Sequence, residues 1–212
     1  MTEPKGLADD PHEVPVLAHE RVFDGKVWDI VREEFRYGDE SIVREYVDHT
    51  GAVAILALDA NGQVLLIKQY RHPVRRRDWE IPAGLLDVVD EDPLAAAKRE
   101  LAEEADLTAQ QWNVLVDFYT SPGGSSEAIR VYLARGLHAT DAPFARQEEE
   151  AGIQVKWAPL DEVVDAVLAR TLQNPSLAIG VLAAQAARRG GFASLGAADE
   201  PWASRPRAGQ QA

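Results

Sequence analysis

Arg99, Glu100, Glu103 and Glu104 are the residues of this chain whose types and spacing point most directly to chemistry. Residues 94–105 are strong helix formers, with Asp92 as an N-cap and Pro93 in the first turn. At 100° per residue the three glutamates fall within a sector about 100° wide, while Leu94, Leu101 and Ala105 take a separate, narrower arc. One face packs and the other can bind. Like charges at i,i+4 each cost roughly 0.2–0.5 kcal/mol in an isolated helix, and a divalent cation would reverse that sign. Oxygen-only donors of this kind suit Mg²⁺ or Mn²⁺, which keep several waters and reach substrate phosphates. A solvated acidic face on an amphipathic helix is the plainer alternative.

A second cluster is basic: Lys68, Arg71, His72, Arg75, Arg76 and Arg77 crowd together in a chain with 22 Lys+Arg, 35 Asp+Glu and a net charge of −13. Phosphate contact is a natural use of guanidinium groups; for Arg75, Arg76 and Arg77 a solvated hairpin end is an equal alternative. The acidic balance argues against nucleic acid as the main partner. With no cysteine, disulfides, thiolate nucleophiles and zinc-thiolate sites are excluded, and a reducing compartment is compatible. His12, His19, His49, His72 and His138 show no metal spacing and receive no catalytic role. No stretch approaches the roughly 20 apolar residues that span a bilayer, so a protein of the cytoplasm with no membrane partner is expected.

The elements that must position these groups can be read in outline. A hydrophobic share of 46% in 212 residues is enough for a buried core. Residues 1–15 carry acidic side chains without an apolar signal region and read as a flexible arm. Residues 16–50 read as an antiparallel β-element turning at Tyr37-Gly38-Asp39, and residues 51–189 as the main domain. In that domain 51–58 is a continuous apolar strand, Asp59 to Gly62 a hairpin turn, and 64–67 its expected partner strand. Further strands are expected at 112–119, 128–133 and 153–157, with helices at 160–169 and 176–189. Residues 190–212, rich in Gly, Ala, Pro and Arg, are expected to be extended or disordered.

Residues 84–107 resemble the Nudix box, G-x5-E-x7-R-E-U-x-E-E-x-G-U with U aliphatic, at Gly84, Glu91, Arg99, Glu100, Leu101, Glu103, Glu104 and Leu107. Two departures stand out: six residues rather than five separate Gly84 from Glu91, and Asp106 replaces a glycine. Pro122, fifteen residues beyond Leu107, and the surrounding 121–127 loop resemble the ADP-ribose pyrophosphatase branch, as do Gly51 to Ala54, Gln69-Tyr70-Arg71 and Trp79 to Gly84.

The resemblance implies an α+β fold, an α/β/α sandwich with a mixed sheet between helices, and hydrolysis of a nucleoside diphosphate linked to another group. It implies Glu100, Glu104, Glu103 and the Ala83 carbonyl as metal ligands, with Arg99 and Glu91 as a supporting ion pair. A base from outside the box would come from Glu148, Glu149 or Glu150, with Glu150 nearest the metal; a solvated acidic loop tip is the alternative. Substrate contacts are expected from Arg71, Trp79, Glu80 and Glu127, and from Trp28 and Arg44 across a homodimer interface, packing being the alternative for Trp28. Another nucleotide sugar or dinucleotide, or a non-hydrolysing nucleotide-binding module, are the rival readings.

Overall fold

Alternation along one strand organises the molecule. In the computed structural model, which describes residues 6–88, 90–146 and 152–205, β4 (Ala52–Ala57) sends Ala52, Ala54 and Leu56 into one core and Val53, Ile55 and Ala57 into another. Because successive side chains point to opposite faces, a strand apolar throughout must be covered on both. Here α1 (Pro93–Ala105) covers one face, and α2 (Leu160–Leu168) with α3 (Pro175–Arg188) the other. This is the expected sandwich.

Three strands precede this core: β1 (Val16–Phe23), β2 (Asp29–Tyr37) and β3 (Glu40–Asp48) form an antiparallel sheet of their own. Its second turn lies at Gly38 and Asp39, where Gly38 takes φ 63°. Val16, Leu17, Val22, Phe23, Val27 and Trp28 are all exposed along its first half.

The remaining strands are β5 (Gln63–Arg71), β6 (Arg76–Glu80), β7 (Ala83–Leu85), β8 (Leu107–Tyr119), β9 (Ala128–Ala139), β10 (Gln154–Pro159) and β11 (Gly196–Ala197). One sheet has the order β11-β8-β9-β4-β7, mixed because β4 runs parallel to β9; a second has the order β10-β5-β6.

The expected pairing of β4 with β5 does not form. Beyond one bridge, Leu58 to Val64, the two strands lie in different sheets. Asp59 accepts hydrogen bonds from the amides of Asn61 and Gln63, and Gly62 takes φ 78°, so the turn forms as its sequence suggests. The chain leaves it into the other sheet, since two strands apolar on both faces can each be central to a different ladder. A hairpin forms one step later instead, where β5 extends to Arg71 and pairs with β6.

Residues 190–205 lie against the domain rather than extending from it. Arg130 donates to the carbonyls of Glu200 and Pro201, its guanidinium stands 5.1 Å from the Trp202 ring, and Trp202 packs on the core beneath α1. Among the described residues no helix is long and apolar enough to cross a membrane.

Candidate active site

Helix α1 begins where Asp92 accepts from the amides of Leu94 and Ala95, and ends at Asp106, which takes the left-handed conformation at φ 55°. Ala96, Ala97, Leu101 and Ala105 bury one side. Glu100 and Glu104 lie within the same buried face, in the stripe that continues from Ala96 and meets β7, while Arg99 and Glu103 stand half-buried at its margin; the separate packing and binding faces expected from the sequence do not form. Arg99 grips Glu91 through two hydrogen bonds of 3.0 Å, and its Nη1 reaches Glu100 at 2.6 Å and Glu103 at 3.0 Å. The Glu91 carboxylate, with two guanidinium donors, sits below its ordinary range, and the same hydrogen bonds hold the Arg99 proton more firmly than usual. The extra residue before Glu91 is absorbed in a turn, with Glu91 N bonded to Val88 O and Asp90 at φ 61°.

Glu100 and Glu104 are both buried, unusual for carboxylates. Glu104 accepts from the Ala83 amide at 2.8 Å, and the Glu100 carboxyl fills the space beside Gly84 that a β-carbon would need. The loop between β6 and β7 thus lies directly on the box glutamates, with the Ala83 peptide beside them. Among the described residues no three acidic or imidazole side chains already stand in a metal-holding arrangement; Glu148, Glu149 and Glu150 lie outside the described residues.

Arg71 is held by Glu80 in a two-point ion pair of 2.9 and 2.7 Å, and Gln69 donates to the same carboxylate at 3.1 Å. Glu80 is 1% exposed, which places it behind Arg71 as its support. Lys68, Arg75, Arg76 and Arg77 line a separate cavity of about 520 Å³ between the β5–β6 hairpin and residues 171–173. Trp79 lies there too, beneath the Lys68 ammonium at 5.1 Å, and packs toward the α2–α3 core.

The 121–127 loop is joined to the end of β3: Val47 N bonds to Gly124 O, Ser126 N to Val47 O, and His49 N to Ser126 Oγ. This brings together two expected contact residues through a third that the sequence did not single out. Buried His49 stacks on Trp28 at 4.4 Å and 21°, and its Nε2 lies 3.3 Å from Glu127 Oε1. Its Nδ1 accepts from the Gly51 amide, which fixes the Nε2–H tautomer as the one donating to Glu127. Thr120 Oγ1 donates to the other Glu127 oxygen at 2.6 Å. Arg44 lies exposed on β3, donating to the Val43 carbonyl, apart from this group.

A carboxylate-bearing helix, a glycine-bearing loop laid on it, and a supported guanidinium form an arrangement suited to a phosphate substrate. A NUDIX domain model matches residues 48–177. The chain belongs to the Nudix family. The likeness to known proteins reaches beyond the domain: an ADP-ribose pyrophosphatase of Mycobacterium tuberculosis is 43% identical over 198 residues, covering 93% of this chain and 95% of the relative. An ADP-ribose pyrophosphatase of Bacillus subtilis is 35% identical over 170 residues, covering 80% of this chain and 91% of that one. A crystal structure of an ADP compounds hydrolase superposes with a TM-score of 0.71 at 17% identity, covering 87% of this chain and 98% of that chain, a likeness of fold.

Proposed function

We propose that this Nudix enzyme hydrolyses the pyrophosphate bond of ADP-ribose to AMP and ribose 5-phosphate, using Mg²⁺ or Mn²⁺ and acting as a homodimer. The observation that carries the substrate is the reach of the M. tuberculosis likeness: its 93% coverage extends past residues 48–177 into the N-terminal sheet. The exposed apolar side chains of that sheet support a second copy as its cover. The acidic net charge supports no role for nucleic acid, and the cysteine-free composition is compatible with the cytoplasm.

The residues present fit a hard divalent cation. Their donors are all oxygens, and the Arg99 guanidinium already draws Glu100 and Glu103 around one positive charge. Glu100, Glu103, Glu104 and the Ala83 carbonyl would hold it, with Glu150 completing the set. When bound, such an ion neutralises phosphoryl charge and makes a water more acidic.

The chain's own groups supply the rest of the proposed reaction. Arg71, fixed by Glu80, contacts the diphosphate; Trp28 offers the indole face not taken by His49 to the base; and Glu127 accepts from a ribose hydroxyl. Arg44 contacts the phosphates across the dimer interface. One of Glu148, Glu149 and Glu150 takes the proton of the attacking water.

The test is product analysis with ADP-ribose and Mg²⁺, beside an EDTA control and a panel of nucleotide sugars and dinucleotides. Metal-dependent AMP and ribose 5-phosphate, formed fastest from ADP-ribose, is the expected result. Faster cleavage of another substrate would reassign the specificity, and no cleavage would leave a nucleotide-binding module.

A further inference from the structure

His49 lies inside the fold at 4% exposure, yet the two side chains its ring touches both open to solvent. Trp28, stacked on the imidazole at 4.4 Å, is 42% exposed, and the Glu127 side chain, 3.3 Å from Nε2, is 22% exposed. The backbone leaves the ring little freedom. His49 follows the last residue of β3, its amide donates to Ser126 Oγ at 2.9 Å, and Gly51, at φ 84°, turns its own amide onto Nδ1 at 2.9 Å. Nε2 therefore carries the proton and donates to Glu127 Oε1, while Thr120 Oγ1 donates to Oε2 at 2.6 Å. Each oxygen of Glu127 thus accepts one hydrogen bond from the protein and keeps capacity for another. Two adjacent acceptors match the two adjacent donors of a ribose cis-diol.

We propose that His49 is a positioning residue for ADP-ribose recognition: it holds the Trp28 ring and the Glu127 carboxylate as one unit, so that adenine and the ribose bonded to it dock together. The inference rests on the proposed reading of Trp28 and Glu127 as contacts for base and ribose, and it names the ribose. A base and its own sugar are joined directly, so their contacts need a short and fixed spacing, and here a single imidazole sets it. The other ribose of the substrate lies a diphosphate away. Held in advance, neither the indole nor the carboxylate has to be ordered when substrate binds, which favours binding without acting on the bond that breaks. The effect of His49 therefore belongs in KM and in the choice of sugar rather than in kcat.

His49→Phe keeps a ring against Trp28 but has no donor for Glu127, and His49→Gln keeps a donor but no ring. Both are made in the full chain and read by KM and kcat for ADP-ribose, by its dissociation constant in EDTA, and by Tm. The same constants are measured for the analogue lacking the 2′-hydroxyl of the adenosine ribose. Wild type should favour ADP-ribose over that analogue about tenfold or more, as a hydrogen bond to a charged group implies. In His49→Phe the preference should shrink to within about twofold, with KM and the dissociation constant up about tenfold and kcat within about threefold. His49→Gln should keep most of the preference, while KM rises about three- to tenfold from the loosened stack. In a Glu127→Gln background His49→Phe should add little further loss, since the two act through one contact. A wild type without the preference, a preference unchanged in His49→Phe, or a rise in KM that only follows a fall in Tm would overturn the positioning role. If His49→Phe does not fold, His49→Gln decides: its KM must rise, and must rise no further in a Trp28→Leu background, and a wild-type KM overturns the role. The proposed reaction fails separately. Wild type that binds ADP-ribose without cleaving it overturns the reaction while the dissociation constants still decide on His49, and wild type that neither binds nor cleaves overturns both.

Discussion

Gly84 and the carboxyl group of Glu100 compete for one volume: a β-carbon at position 84 would lie 2.0 Å from Glu100 Cδ. Such contacts do not occur, so either the β7 loop or the Glu100 side chain must move when any side chain is placed there. Gly84→Ala should lower kcat/KM for ADP-ribose on the order of a hundredfold, as a misplacement near 1 Å does. Tm should change little, because Gly84 is only partly buried and the shift stays local. Steady-state kinetics beside thermal melts would check it; unimpaired turnover would remove Glu100 from the reacting centre.

Glu104→Gln separates charge from shape at the same place. Glutamine retains an oxygen that can accept from the Ala83 amide, the contact Glu104 makes at 2.8 Å, so the loop should stay in place. The negative charge is lost, and with it the affinity for a hard cation. Turnover should fall on the order of a hundredfold or more, with part of the loss recovered at high Mg²⁺. A folded variant with wild-type rate would remove Glu104 from the metal set.

Glu80→Gln probes the support of Arg71. The Glu80 carboxylate is buried and holds the guanidinium at two points, while the Arg71 side chain is 43% exposed. The amide cannot reproduce both contacts and would present a donor to a donor. KM should rise about tenfold with kcat within a few-fold, and stability should fall by about 1–3 kcal/mol. A kcat loss at unchanged KM would instead place Glu80 in the chemical step.

These relationships differ in how far the sequence discloses them. The box helix is legible because its signals are local: Asp92 caps and Pro93 follows; that Glu100 and Glu104 are buried beside Leu101 and Ala105 rather than on a separate face is not, since the cover comes from β7. The partner of β4 is not, since a strand apolar at every position carries no period to say which neighbour it faces. His49 is illegible for a different reason: its contact with Ser126 spans 77 residues, and only the joining of β3 to the 121–127 loop sets it between Trp28 and Glu127. In residues 190–205 composition suggested a loose tail, yet Trp202 finds a cation and a core to cover. Trp202→Ala should therefore cost about 1–3 kcal/mol, measurable by urea unfolding.

His49 should make folding stability fall below neutrality. Burial holds its imidazole below the ordinary 6.5, outweighing the carboxylates of Glu127 and Asp48, which favour the charged form. The unfolded chain then takes up its proton at a higher pH than the folded one. The stability at stake is fully present above that unfolded value and is lost as the pH falls through the lower folded one, by at most about 1.4 kcal/mol per pH unit. Protonation also removes the Nδ1 lone pair that accepts from Gly51. His49→Asn places an oxygen near that acceptor without a titrating ring, so its Tm should fall less than that of wild type between about pH 7 and pH 5. Parallel curves would mean that the acid sensitivity of the fold lies in some other group.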